Sequence, residues 1–356
     1  MLDDLLKSRN VVVRAPNALG DLIMATPAFA RLATHFGKDR LSLICLPAAA
    51  QLLEGNAWFR ELIPYDRAKA HKGFSGGRAF VKELRAREFD LGIILPNSFG
   101  SAWQMMRAGV KTRVGYFKEG RRWMLHVGRK RETDARGKFV PKYTGAYFMD
   151  LIDTLGLPPG PLVPTLPVSG DERSRAAAFL AERKLARGPL VILAPGAAFG
   201  PSKLWPAERF AAVGDALRKE GASVLISYGP GEEETVAALQ KAAAPFATSE
   251  GVTLNTLKAV YEKAALVISN DTGPRHMAVA LGRPVLTLMG PNDPRYSELA
   301  SERGEVIRVS VDCSPYAQPC QLKDCPIDHR CMMGIEVERV LAAGRKWLAV
   351  KRVSWS

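Results

Sequence analysis

The chain has 356 residues, of which 47% are hydrophobic and 24% are charged, so it has the composition of a globular protein and is long enough for two domains. No apolar run approaches the roughly 20 residues of a membrane-spanning helix, which argues against an integral membrane protein. The N-terminal sequence MLDDLLKSRNVVVR lacks the pattern of a signal peptide, and we therefore expect a cytoplasmic protein.

The net charge of +14 is distributed unevenly. Residues 1–160 contain 26 Lys and Arg against 15 Asp and Glu, and residues 107–142 alone contain 12 basic residues against three acids. This asymmetry indicates that the first half meets an anionic partner: nucleic acid, a phosphorylated membrane surface or an acidic substrate. A solvated face that only improves solubility is the alternative.

The first half alternates short apolar runs with helical segments. Runs at residues 11–13, 41–46 and 89–95 read as strands, and each is followed by a stretch with helical periodicity. This alternation predicts a parallel sheet covered by helices on both faces.

A proline-rich stretch then interrupts the pattern. Residues 155–167, LGLPPGPLVPTLP, contain five prolines and two glycines, which do not allow a continuous helix. The same alternation restarts afterwards, with strands predicted at 189–194, 223–228, 266–269 and 284–289. We therefore predict two doubly wound α/β domains, at residues 1–160 and 168–334, with a cleft between their strand ends. A last helix at 335–356 is expected to pack back on the first domain.

The sequence ISNDTGP places a turn between a predicted strand and a helix. Asp271 or Thr272 is suited to cap that helix, Pro274 fits its first turn, and Gly273 permits close approach of a ligand to the backbone. Free N–H groups at a helix N-terminus favour an anion. A well-capped helix without a ligand explains the same residues.

Two further turns in the second half carry candidate binding residues. Lys203 follows a Pro-Gly turn and precedes a helix, where its ammonium is suited to bind a phosphate, although a solvated loop lysine is the alternative. Glu232, in SYGPGEEET, begins a helix. It either binds sugar or ribose hydroxyls or serves only as a first-turn acid.

The first domain has its own turn at residues 17–21, NALGD. It matches neither the dinucleotide-binding glycine pattern nor a P-loop. Gly20 frees the backbone, and Asp21 is placed to act as a general base on a substrate hydroxyl. The alternative is that Asp21 only caps the following helix.

Four of the five cysteines lie close together near the C-terminus, with His329 among them. Their spacing, C-x6-C-x4-C-x5-C, differs from the C-x2-C pairs of structural zinc sites. Reduced thiols, a metal site and redox pairing remain open for these residues: Cys313, Cys320, Cys325 and Cys331.

Several motifs together resemble one family. The stretches ALGDLIMATPA, PGAAFGPSKLWP, ISNDTGPRHMAVALGRPVLTLMGPNDP and HRCM resemble the ADP-heptose:lipopolysaccharide heptosyltransferases of glycosyltransferase family 9, over residues 11–341. The PGAAFGPSKLWP motif is most similar to the members that add the second heptose. The cysteine region departs from the family, because Tyr316 stands where many members have a second cysteine.

The resemblance implies a GT-B fold, with an acceptor-binding N-terminal domain and a donor-binding C-terminal domain. It implies inverting transfer of a heptose from ADP-heptose to the inner core of lipopolysaccharide, which is built of heptose and the acidic sugar Kdo, with Asp21 as general base and no cofactor. The resemblance also implies that the ADP leaving group is stabilised without a metal, and the chain indeed has no D-x-D sequence of the kind that metal-dependent glycosyltransferases use. The implied donor-binding residues are Lys203, Glu232, Asp271, Thr272, Gly273 and His276. The expected acceptor-binding residues are Asn17, Gly20, Arg121 and Arg122.

The resemblance also gives the basic first half a partner. We expect it to bind the anionic lipopolysaccharide core and to contact the cytoplasmic face of the inner membrane, with no role for nucleic acid. Two alternatives remain. One is a related transferase with another nucleotide sugar or surface glycan, and the other is a non-catalytic nucleotide-binding relative.

Overall fold

The computed structural model describes residues 5–353, with side chains described to residue 349. The chain divides into two compact units, Met1–Pro167 and Val168–Ser356, at the end of the proline-rich stretch. Residues 1–4 of the predicted first domain and residues 354–356 of the predicted last helix lie outside the described residues.

The first unit is built on a six-stranded parallel sheet. Its strand order is β3-β2-β1-β4-β5-β6, so the order reverses between β1 and β4. The strands are β1 (Val11–Arg14), β2 (Leu41–Cys45), β3 (Glu61–Pro64), β4 (Leu91–Ile94), β5 (Thr112–Tyr116) and β6 (Val127–Arg129). The helices are α1 (Leu19–Met24), α2 (Thr26–Phe36), α3 (Pro47–Leu52), α4 (Gly73–Arg85), α5 (Phe99–Arg107) and α6 (Thr144–Asp153).

The second unit repeats this topology. Its sheet has the order β12-β11-β10-β7-β8-β9, which reverses between β7 and β10. The strands are β7 (Leu190–Ala194), β8 (Ser223–Ile226), β9 (Ala247–Thr248), β10 (Leu266–Asn270), β11 (Val285–Leu288) and β12 (Gly304–Ile307). The helices are α7 (Gly170–Glu182), α8 (Ala207–Lys219), α9 (Glu233–Ala242), α10 (Leu254–Glu262), α11 (Gly273–Ala280), α12 (Arg330–Met333) and α13 (Val337–Val353).

Buried apolar strands explain both sheets. All residues of β1, β2 and β4, and all residues of β7, β10 and β11, are buried, as expected for parallel strands covered on both faces. The predicted pair of doubly wound α/β domains is therefore confirmed. In such sheets ligands bind beyond the carboxyl ends of the strands, where the strand order reverses. Each unit thus has one reversal point at which to look for a site.

The packing of the last helix differs from the prediction. We expected it to pack on the first domain, but α13 packs against α8 and against strands of the second unit. Its buried residues Val340, Leu341 and Ala343 belong to the second unit's hydrophobic core. The sequence pattern identified the helix correctly, but the apolar residues of a helix do not specify which core they join.

Candidate functional site

The reversal point of the first sheet carries the turn of residues 17–21. Asn17 is exposed, and Gly20 and Asp21 are half-buried in the short helix α1. Ala18 occupies the N-cap position without a side-chain cap, and Asp21 lies in the first turn of the helix. Asp21 is therefore not the N-cap, and the purely capping interpretation does not describe its position.

A buried arginine, Arg14, holds this turn through hydrogen bonds. Arg14 closes β1 and is 3% exposed. Its guanidinium donates from Nη1 to the carbonyl of Ala15 (2.7 Å) and from Nη2 to Oδ1 of Asn17 (2.8 Å). Burial lowers the pKa of Arg14 to about 10, so the group keeps its charge near neutral pH. Our sequence reasoning missed this residue, although an arginine that ends the apolar strand VVVR was a visible signal.

Arg121 requires a correction. We predicted that it binds the acceptor, but its side chain is fully buried. The guanidinium donates to the carbonyls of Tyr116, Pro96 and Ser98, and so it connects the loop after β4 to the loop after β5. Burial lowers its pKa. A direct contact with a ligand is therefore not compatible with its position, and its role is to hold these loops.

Arg122 occupies the opposite environment. It is exposed, and its guanidinium lies 3.8 Å from the centroid of the Phe117 ring. The two adjacent arginines are thus unlike in burial, and only Arg122 is accessible to an anionic ligand.

The reversal point of the second sheet is organised by Asn270, the last residue of β10. Its side chain is fully buried and donates from Nδ2 to the carbonyl of Pro195 (2.7 Å), in the loop after β7. Its Oδ1 accepts the backbone N–H of Trp205 at 3.2 Å. One amide therefore joins the end of β10 to both ends of the loop that contains Lys203.

Lys203 and Asp271 meet at this point, as their predicted membership of one site requires. The Lys203 ammonium donates to the Asp271 carbonyl (2.9 Å) and lies 3.3 Å from its Oδ2. Both side chains are largely buried, at 12% and 5% exposure. Asn292 Nδ2 also donates to Oδ2 of Asp271 at 2.5 Å. Lys203 is thus a positioned cation and not a solvated loop lysine.

A second buried cation balances the aspartate. Arg275, on α11, is fully buried and donates from Nη1 to Oδ1 of Asp271 (2.8 Å) and from Nη2 to Oε1 of Glu302 (2.9 Å). Burial alone would raise the pKa of Asp271, but Arg275 and Lys203 hold it well below its usual range. Asp271 is therefore ionised at any physiological pH. Our sequence reasoning missed Arg275, because nothing in the pattern distinguishes a buried arginine from a surface one.

The other predicted residues near this turn are Thr272, Gly273 and His276, which follow Asp271 in the sequence. Thr272 is the N-cap of α11 with an extended backbone but makes no side-chain cap, and Gly273 begins the helix. His276 is 7% exposed, and burial together with the charge of Arg275 lowers its pKa to about 3. The imidazole is therefore neutral near pH 7. Since no side chain caps α11, its N-terminal N–H groups and dipole are better suited to an anion than a capped end would be.

Glu232 lies beside the same loop. Its carboxylate accepts the N–H of Gly229 at 2.8 Å, and burial raises its pKa. A Cβ atom on Gly196 would overlap this carboxylate, so the two residues are in close contact. Glu232, in the connection after β8, therefore lies against the loop after β7. That loop also contains Lys203.

A model of glycosyltransferase family 9 (heptosyltransferase) matches residues 77–328. The chain belongs to this family. It is 29% identical over 315 residues to lipopolysaccharide heptosyltransferase 2 of Escherichia coli K12, an alignment that covers 84% of this chain and 88% of the relative. The family match and this relative confirm the resemblance predicted from the sequence.

Solved structures give the same result for the fold. An E. coli ADP-heptose lipopolysaccharide heptosyltransferase II has a TM-score of 0.77 at 24% identity, covering 97% of this chain and 100% of that one. The E. coli heptosyltransferase WaaC with ADP-2-deoxy-2-fluoro heptose has a TM-score of 0.66 at 18% identity, covering 95% and 99%. The predicted GT-B architecture of two Rossmann-like units is confirmed.

Two further features of this glycosyltransferase concern metals and membranes. Within residues 5–353, no three His, Cys, Asp or Glu side chains are grouped in a way that suits a metal ion. The five cysteines are free thiols. No described helix has the length and apolar character needed to cross a bilayer.

Proposed function

We propose that this glycosyltransferase transfers a heptose from ADP-heptose to the anionic inner core of lipopolysaccharide, with inversion at the anomeric carbon. The observation that carries the proposal is the positioned Lys203–Asp271 pair beside the N-terminus of α11, at the reversal point of the second sheet. The name of the E. coli relative and the sugar nucleotide in the WaaC structure support this choice of donor and acceptor.

The second unit binds the donor in this proposal. The ammonium of Lys203 and the N–H groups at Thr272 and Gly273 contact the diphosphate. Asp271 does not face the phosphate, because like charges repel; it orients Lys203 through its carbonyl and carboxylate. Glu232 accepts hydrogen bonds from ribose or sugar hydroxyls. His276, neutral at physiological pH, is available as an uncharged hydrogen-bonding group.

The first unit binds the acceptor. Its expected contacts are Asn17, Gly20 and the exposed Arg122. This unit carries most of the net positive charge of the chain. Acidic sugars and phosphates of the inner core are complementary to that charge. Because such an acceptor is lipid-linked, we place the enzyme at the cytoplasmic face of the inner membrane.

The reaction is a single displacement. Asp21 removes the proton from the acceptor hydroxyl, and that oxygen forms a bond to the anomeric carbon as the bond to the β-phosphate oxygen breaks. The sugar passes through an oxocarbenium-like state, and negative charge develops on ADP. Lys203 and the N–H groups of α11 stabilise this charge because they are already oriented before the reaction. Because the acceptor oxygen attacks the face of the anomeric carbon opposite the departing ADP, the anomeric configuration is inverted.

The direct test is an assay of the purified protein with ADP-heptose and defined Kdo-lipid acceptors. We expect transfer with ADP-heptose and none with UDP- or GDP-sugars. Transfer only with UDP- or GDP-sugars would contradict the assigned donor. Tight binding of ADP-heptose without transfer to any acceptor would instead favour the non-catalytic alternative.

Gly196→Ala tests the position of Glu232. The new Cβ would overlap the carboxylate and displace it from the loop, whereas Gly229→Ala leaves the nearest carboxylate oxygen at 3.9 Å. A hydrogen bond to a charged group is worth about 1.5–3 kcal/mol, so we expect Gly196→Ala to weaken donor binding about tenfold or more. Calorimetry with ADP-heptose measures this. Equal affinities of the two variants would contradict the role of Glu232.

A further inference from the structure

Three large aromatic side chains form an exposed cluster on the first unit. Phe99, Trp103 and Trp123 are 44%, 41% and 61% exposed. Their ring centroids are separated by 6.2 Å, 6.3 Å and 6.4 Å, so each ring contacts the other two. Exposed apolar groups that lie together in this way mark an interaction surface more often than single exposed residues do.

The packing of the unit does not require these rings. Phe99 and Trp103 are four residues apart on the solvent face of α5, and the opposite face contributes Ala102 and Met105 to the hydrophobic core. Trp123 lies in the 3₁₀ turn Arg122–Met124, where Met124 is the buried residue. The core is thus complete without the cluster, and the cluster has a different use.

The surroundings of the cluster are basic. Residues 91–123 contain six Lys and Arg and one acid, Glu119, which pairs with Lys118 at 3.5 Å. The Arg107 guanidinium lies 5.7 Å from the Trp103 ring centroid, on the same helix face, and Arg122 adjoins Trp123 in sequence. Among the described residues, neither arginine forms an ion pair. Tryptophans flanked by arginines match the boundary between the acyl chains and the headgroups of an anionic bilayer.

We propose that Phe99, Trp103 and Trp123 insert into the headgroup region of an anionic membrane, with Arg107 contacting lipid phosphates. For Phe99 and Trp103 a bilayer fits better than a soluble sugar, since sugars stack on an open ring face. Trp103 has Arg107 over its ring, and Phe99 lies near it, almost parallel, at 19°.

The location of the cluster gives the contact a purpose. α5 follows β4 and the Arg122–Met124 turn follows β5. Both therefore begin at the carboxyl ends of the parallel strands, where the Asp21 turn follows β1. Membrane binding there would bring this edge to a lipid-linked acceptor. That consequence depends on the proposed function, whereas the membrane contact itself does not.

Flotation of the purified full chain with lipid vesicles tests the contact without any transfer reaction. The probes are phosphatidylcholine vesicles with and without phosphatidylglycerol, both free of lipopolysaccharide. We expect the wild type to bind the anionic vesicles, and the triple variant Phe99→Ser, Trp103→Ser, Trp123→Ser to bind them at least about tenfold more weakly. The control is Phe74→Ser, which removes an 82%-exposed ring of the same unit and is expected to bind normally.

Two additional variants keep the test decisive. Trp123→Ser alone, which changes the most exposed ring of the cluster, covers the case of a triple variant that fails to fold, and a several-fold loss is expected. Arg107→Gln should weaken binding to the anionic vesicles about fivefold and leave phosphatidylcholine binding unchanged.

Unchanged binding by the aromatic variants, or an equal loss in Phe74→Ser, would overturn the proposal. Failure of the heptosyltransferase assay would leave the vesicle result standing, so the two proposals are tested separately.

Discussion

Asp21→Asn is expected to lower the transfer rate by at least about 100-fold while leaving the affinity for ADP-heptose unchanged. Asparagine keeps the size and polarity of the side chain but does not accept the acceptor proton. Asp21 lies in the first turn of α1, whose N-cap residue Ala18 makes no side-chain cap that the substitution could remove. Single-turnover measurements with saturating donor report the chemical step directly.

The matched control for Asp21 is Asp39→Asn, which neutralises an exposed aspartate of the same unit. We expect its transfer rate to equal that of the wild type, so that any loss in Asp21→Asn is not a general effect of charge. If Asp21→Asn transferred heptose at the wild-type rate, Asp21 would not be the base.

Lys203→Met is expected to lower kcat by roughly 10²–10³-fold, because removal of one preoriented donor from a developing oxyanion costs about 2.7–4 kcal/mol. The methionine keeps the unbranched apolar part of the lysine, and Asp271 retains Arg275 and Asn292 as partners, so the turn should stay folded. The measurement compares kcat with the dissociation constant of ADP-heptose.

Lys219→Met provides the control for Lys203, because Lys219 is an exposed lysine of the same unit that pairs with Asp215. We also expect Lys203→Arg to recover part of the lost rate, since it restores the charge but changes its geometry. A Lys203→Met enzyme with weaker donor binding and normal kcat would contradict a role in stabilising the leaving group, because the lysine would then act equally on ground and transition states.

The fold and the main turns were predictable because they depend on local patterns. Alternating apolar strands and helical segments gave two doubly wound units, and the polar turns after β1, β7 and β10 gave Asp21, Lys203 and Asp271. Such residues are detectable because they lie in the connections that follow buried strands, where ligands bind in open sheets.

The buried arginines were not predictable in the same way. Arg121 and Arg275 lie in polar stretches that read as surface, yet both are fully buried. Arg121 donates to carbonyls, and Arg275 pairs with carboxylates. Whether a basic side chain enters the protein depends on partners that are distant in sequence, such as Pro96 and Glu302. The packing of α13 on the second unit was missed for the same reason.

The partners that hold Lys203, Asp271 and Glu232 all come from the second unit: Arg275 and Asn292 for the aspartate, and Gly229 for the glutamate. If the second unit binds the sugar nucleotide as proposed, the residues that recognise it and the residues that hold them lie in one contiguous half of this sequence. Substitutions that change acceptor contacts in the first unit would then leave the hydrogen bonds and ion pairs of the donor site intact.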